Sequence, residues 1–219
     1  MTAEAGYHTR PRPEMLAFVP AGARRVLDVG CGGGTFAARL RDERGAEVWG
    51  IEISPEAAAL AAGRLDRVLV GDAVERLGAV PDGHFDCIVM NDILEHLVEP
   101  ERLLRAAARK LAAGGCVVAS IPSIRHFPHL VDLVLRGEWR YTDEGLLDRT
   151  HLRFFTRRSM LEMFAACGYD VRSIAGIHPT RSWRFRLFNL LTLGRLAETR
   201  YLQFAVVAAV ARDAAGAPA

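Results

Sequence analysis

The 219-residue chain reads as a single α/β domain built on a mostly parallel sheet with helices on both faces. Three observations predict this. Strand-like apolar runs alternate with helix-length amphipathic stretches, the order that a parallel sheet requires. The runs are continuously apolar, as in strands covered on both faces. The first run enters a glycine-rich turn, Gly30-Cys31-Gly32-Gly33-Gly34, that opens a helix at Thr35. Half the residues are apolar and a quarter charged, ordinary for one globular domain of this length.

The elements follow in order. Arg25–Val29 is the first strand and Thr35–Arg44 the first helix. Strands are expected over 48–53, 68–70, 85–91 and 116–121, with helices over 55–63 and 100–112 between them. Ser54 suits an N-cap, with Pro55 at the first helical position. Gly114-Gly115 separates the later helix from the fifth strand. After Pro122 the regularity breaks. Residues 123–155 hold a helix over 128–136 and a long polar, aromatic loop, which reads as a substrate-side insertion. Thr156 opens a helix that runs to Cys167 and stops at Gly168, and a strand follows from Tyr169 to about residue 174. An amphipathic helix over 183–193 and a strand over 202–212 close the domain. Residues 1–20 form an N-terminal arm, and 213–219 an alanine-rich, disordered tail.

The bulk properties exclude several classes. A net charge of +2 with no long basic run argues against a nucleic-acid partner. Cys31, Cys87, Cys116 and Cys167 are scattered, with neither disulfide nor metal spacing, so no metal and a reducing, cytoplasmic setting are expected. The first twenty residues lack the apolar segment of a signal peptide. The apolar stretch 204–211 is far too short to span a bilayer.

The chemistry gathers at strand C-terminal ends, where open α/β sheets bind ligands. In Asp28-x-Gly30-x-Gly32-x-Gly34 the glycines let a ligand lie against backbone N–H groups at a helix N-terminus. A dinucleotide fingerprint would need glycine at position 35, where the chain has Thr35. Asp28 would repel a pyrophosphate and attract an ammonium. Glu52, ending the second strand, can accept from both hydroxyls of a ribose. Gly71-Asp72-Ala73 follows the third strand, and Asn91-Asp92-Ile93-Leu94-Glu95-His96-Leu97 the fourth.

This constellation resembles the class I S-adenosylmethionine-dependent methyltransferases, strongly over about residues 20–122. The resemblance implies a Rossmann-like sheet of six parallel strands joined by an antiparallel seventh, with S-adenosylmethionine as cofactor. It places Asp28 near the methionine amino group, with Gly30, Gly32 and Gly34 admitting the cofactor to the backbone. Ile53 would pack on the adenine, a plain core isoleucine being the other reading. Asp72 would accept from the adenine amino group and the Ala73 N–H would meet the ring, unless Asp72 is only a solvated turn residue. Asn91 and Asp92 would face the methionine portion.

Residues 121–158 carry a second pattern: Pro122-x-x-x-His126-Phe127, then Trp139-Arg140-Tyr141, then Asp148-Arg149-Thr150-His151-Leu152-Arg153-Phe154-Phe155-Thr156. It resembles bacterial methyltransferases associated with polysaccharide and glycan synthesis, and more weakly MetW-like proteins. The first likeness implies methyl transfer to a small-molecule or glycan acceptor, at the hydroxyl of a sugar or related metabolite. The second implies a non-catalytic partner that binds the cofactor or its product. His151, then His126 and His96, are the candidate general bases. His96 has a second reading, as an orderer of its loop. Arg125 and Arg153 would bind an anionic acceptor and Trp139 and Tyr141 a sugar ring, or Asp148, Arg149, His151 and Arg153 form a structural clip. Tyr7 would close over the cofactor, unless the terminus is merely mobile. The helix over 183–193 is expected to pack its apolar face on the domain with its arginines solvated. Its alternating basic and apolar residues also suit a membrane interface, without insertion. One chain does not set the oligomeric state.

Overall fold

The computed structural model describes residues 11–211. Seven strands form one sheet: β1 (Arg25–Val29), β2 (Glu47–Glu52), β3 (Arg67–Val70), β4 (Phe85–Asn91), β5 (Leu111–Pro122), β6 (Tyr169–Pro179) and β7 (Tyr201–Val210). Their order is β3-β2-β1-β4-β5-β7-β6. All pairs from β3 to β5 are parallel, and β7 runs antiparallel to both β5 and β6. Six strands therefore share one direction, and the seventh opposes them.

The helices are α1 (Thr35–Arg44), α2 (Pro55–Ala62), α3 (Ala73–Leu77), α4 (Pro100–Lys110), α5 (Phe127–Val131), α6 (Arg157–Ala166) and α7 (Trp183–Leu191). Alternate strand residues feed two apolar cores. Leu27, Val29, Ile88 and Met90 pack with Leu103 and Leu104 of α4 and Met160 and Phe164 of α6. Val26, Val48, Cys87 and Val89 pack with Phe36, Ala37 and Leu40 of α1. Strands covered on both sides need apolar residues at every position, which explains their unbroken apolar runs.

Local signals set most boundaries. The Ser54 hydroxyl accepts the Ala57 N–H at 3.2 Å to cap α2. Thr156 and Ser159 form a reciprocal capping box on α6. Other boundaries differ from expectation. α4 stops at Lys110, because Leu111 is already extended and pairs with Phe85. A register shift between Phe85 and Cys87 then realigns β5. β6 continues to Pro179, held by β7 along its length. The short α3 is an added element.

The described part of the arm, residues 11–20, is more firmly attached than a lid. Met15, Leu16 and Val19 are buried, and the Arg44 guanidinium donates to the carbonyls of Leu16 and Val19 at 2.5 and 2.9 Å. Tyr7 and the expected tail lie outside the described residues. All four cysteines are free and buried, with Cys87 and Cys116 opposite each other on β4 and β5.

Candidate active site

The strand order reverses between β1 and β4, so the loops leaving their C-terminal ends diverge and open a crevice. A cavity of about 390 Å³ occupies it. Asp28, Gly30 and Gly32 line it after β1, Glu52 and Ile53 after β2, Asp72 and Ala73 after β3, and Asn91, Asp92 and His96 after β4.

The glycine turn is built around Glu52. Gly30 and Gly32 have φ of 75° and 53°, left-handed conformations that favour glycine. One Glu52 carboxylate oxygen accepts the Gly32 N–H at 2.7 Å and the other the Ser54 N–H at 2.9 Å. Each oxygen keeps a further lone pair for a ligand on the cavity side. Gly34 has a different task. It caps α1 at φ 75° and lies outside the cavity lining, where a Cβ would come within 3.1 Å of Ala61 on α2. It serves helix packing rather than cofactor approach.

Three buried polar atoms beside the cavity have no partner among the described residues: Oδ1 of Asp28 and both side-chain heteroatoms of Asn91. Burial first, and the Glu52 charge second, push the Asp28 carboxyl up to about 8. An ammonium would supply both the missing donor and the missing charge. Asn91 offers one donor and one acceptor beside it. A ligand that pairs an amino acid with a ribose, as S-adenosylmethionine does, fits this donor and acceptor set together with Glu52. Ile53 is 71% exposed at the rim, which rules out the core-isoleucine reading. The Asp72 carboxylate accepts the N–H groups of Val74 and Glu75 at 2.9 and 3.1 Å, so it caps α3 as well as facing the cavity.

Asp92 adopts φ 51° and is held by residues distant in sequence. Arg12 forms an ion pair with it, and Ser120 and Gln203 donate to its Oδ1 at 3.0 and 2.9 Å. Arg12 also donates to Ser120 Oγ at 2.7 Å. Sequence reasoning missed Arg12 as a site residue. Its available signal was its place between two prolines, which fix the neighbouring backbone.

Arg12 and Asp92 line a second cavity of about 370 Å³ as well, so their pair stands where the two spaces meet. Glu95, Asp148, His151 and His178 supply polar walls there, and Pro122, Leu146 and Leu202 apolar ones. His151 Nδ1 lies 3.0 Å from the Leu146 carbonyl. A carbonyl only accepts, so Nδ1 carries the hydrogen and Nε2 is left basic. The ring stacks edge-on against His96 at 4.7 Å. His96 Nδ1 is 3.2 Å from the Thr150 carbonyl, and burial, then His151, lower its pKa. Burial, then Asp92, raise the Glu95 carboxyl well above its ordinary range, and its Oε2 has no partner among the described residues. Glu95, His96 and His151 each bring one ligand-type atom within 4.8 Å of the others.

The clip is present too. Asp148 accepts the Thr150 N–H and hydroxyl at 2.8 and 2.7 Å, and the Glu95 carbonyl accepts the N–H groups of Leu152 and Arg153 at 2.8 and 3.0 Å. Arg153 donates to the Val98 carbonyl at 3.0 Å and belongs to the clip. Arg125 is taken by Glu198 at 2.5 Å. Trp139 stacks edge-on with His129 and Phe154, and neither it nor Tyr141 lines the second cavity. His126 also lies outside both linings. Burial, with His129 second, lowers its pKa to about 4.

Comparisons with known proteins give the family and the fold. The family described as "Methyltransferase domain" matches residues 6–174. A "Ubiquinone biosynthesis O-methyltransferase" of Xanthomonas axonopodis pv. citri is 31% identical over 196 residues, covering 85% of this chain and 77% of the relative. Its namesake in Aeromonas salmonicida is 29% identical over 189 residues, covering 82% and 74%. Among solved structures, a SAM-dependent methyltransferase from Archaeoglobus fulgidus superposes with a TM-score of 0.65 at 24% identity, over 94% of both chains.

Proposed function

The chain belongs to the methyltransferase-domain family, the class I S-adenosylmethionine-dependent methyltransferases, and from that premise we propose that it methylates a hydroxyl oxygen of a small acceptor bound in the second cavity. The observation that carries this reading is the meeting of the two cavities at Arg12 and Asp92, with orphaned Asp28 and Asn91 on one side and His151 on the other. Asp28 takes the cofactor's ammonium, Asn91 its amino-acid polar atoms and Glu52 its ribose, while Ile53 covers the adenine. Gly30 and Gly32 keep the backbone open to it.

Bound S-adenosylmethionine supplies an already activated methyl group on a sulfonium. The protein's remaining tasks are to align the acceptor and remove its proton. His151 Nε2 would accept the proton of the acceptor hydroxyl, and the Leu146 carbonyl, by accepting from Nδ1, holds the ring in the tautomer that leaves Nε2 as the acceptor. His96 orders the loop through Thr150. The second cavity's walls offer hydrogen-bonding groups to several hydroxyls, and their carboxylates disfavour an anionic acceptor. A sugar or related polyol suits that lining. The relatives' names, which specify O-methyl transfer, support oxygen as the atom methylated.

Calorimetric titration with S-adenosylhomocysteine tests the first cavity. Glu52→Ala is expected to weaken binding by about 1.5–3 kcal/mol, the usual value of hydrogen bonds to a charged group. Absence of binding to the unaltered protein would overturn the assignment. His151→Ala should keep that affinity and lose about 100-fold or more in turnover, the low end for a positioned base. Undiminished turnover would remove His151 from the chemistry.

A further inference from the structure

The excursion between β6 and β7 presents a surface that the site does not use. α7 packs Phe185 and Phe188 against Phe127 of α5, with ring centroids 5.5 and 5.0 Å apart. Its opposite side is also apolar, contrary to the expectation that the helix buries its apolar face. Trp183, Leu190 and Leu191 are 68, 70 and 73% exposed, and Leu187 is exposed with them. Positions 183, 187, 190 and 191 recur at helical spacing and form one stripe about 100° wide. By the same spacing Arg184 and Arg186 fall on its two flanks. α5 runs into a π turn, Asp132–Arg136, that exposes Leu133, Val134 and Leu135.

Charge selects the occupant. Residues 180–196 hold Arg181, Arg184, Arg186 and Arg195 and no acidic residue, in a chain whose net charge is only +2. Nearby acids are engaged elsewhere, Glu198 with Arg125 and Asp132 with Arg136, each at 2.5 Å. Large apolar side chains flanked by cations match the interface of an anionic bilayer, where Leu and Trp enter the acyl boundary and Arg meets phosphate. We propose that α7, assisted by the π turn after α5, docks this protein on the surface of a membrane containing anionic phospholipid. At nine residues α7 would lie in the interface plane rather than cross it.

The placement has a use. His178, near the end of β6, and Leu202 and Gln203, near the start of β7, line the second cavity, and α7 lies in the excursion between them. Pro122, which leads toward α5, lines it too. Docking would therefore bring the rim of the acceptor space close to the lipid phase. The inference goes beyond the proposed reaction, and its test does not require turnover.

The test is co-sedimentation of the full chain with vesicles of phosphatidylcholine alone and of equimolar phosphatidylcholine and phosphatidylglycerol. Binding is expected to the anionic vesicles and to weaken as salt rises. Leu190→Asp with Leu191→Asp should abolish it. Arg184→Gln with Arg186→Gln should weaken it about fivefold per arginine removed, the equivalent of ~1 kcal/mol each. An unchanged thermal midpoint would show that these surface variants remain folded. Failure of the unaltered chain to sediment, or equal sedimentation of the folded leucine variant, overturns the proposal. A dimer that the leucine substitutions dissociate, with no vesicle binding, would assign the face to a second copy of the chain and overturn it equally.

Discussion

A carboxyl group buried without a donor is stable only in its protonated form until a cation reaches it, and Asp28 is in that position. Its pKa rises from 3.8 to about 8, so the folded protein binds this proton more tightly than the unfolded chain does. The stabilisation is complete below the unfolded value and is lost as pH rises toward the folded one. Urea melts of the ligand-free protein across that window should show falling stability, and Asp28→Asn should remove the slope. Saturating S-adenosylhomocysteine, whose ammonium favours the carboxylate, should flatten it as well. A slope unchanged by Asp28→Asn would place its origin elsewhere. Asp28, Glu52 and Asn91 were legible as cavity residues because each lies in the last two positions of a strand, the edge at which open α/β sheets bind ligands. Arg12 was not, because, apart from the neighbouring Glu14, the partners that place it at the site lie far along the chain at Asp92, Ser120 and Gln203. His126 misled because a histidine after a strand looks the same whether it faces a cavity or the interior.

Elements follow the same division between local and distant causes. β1 to β4 announce themselves through apolar runs, and α2 and α6 through caps contained within four residues. β6 alternates poorly between buried and exposed positions, so its later half had no pattern to read. The start of β5 was hidden because Ala112 to Gly115 carry no strand signal and lie in the register shift between the Leu111–Phe85 and Cys116–Cys87 pairs, which hold the strand on either side of them. Gly34 is where local and distant demands coincide, since it needs both a positive φ and closeness to Ala61. Gly34→Ala is expected to cost about 1–3 kcal/mol, the usual range for overpacking, as a lower urea midpoint with an unchanged slope. A neutral effect would mean that α1 and α2 separate freely.

At the scale of the whole molecule, the mostly parallel α/β fold class was legible because alternating elements permit few topologies, whereas the antiparallel last strand was implied only by the family resemblance. The relation between the two cavities was not, because Arg12, from one end of the described chain, and Gln203, from the other, meet there. The sheet order adds a consequence in time. β7, last of the sheet's described strands in chain order, is inserted between β5 and β6. Until it leaves the ribosome, β6 has no partner in the sheet, the edge of β5 stands open, and Gln203 is missing from the Asp92 cluster. An open, apolar strand edge is a template for association between chains. Nascent chains should therefore need shielding until translation has passed residue 210. A chain lacking residues 201–211 should be recovered in aggregates, whereas a soluble, protease-resistant product would show that the earlier strands close on their own. The walls of the second cavity would then be completed only once the strand that carries Leu202 and Gln203 has joined the sheet, after every residue lining the first cavity has been made.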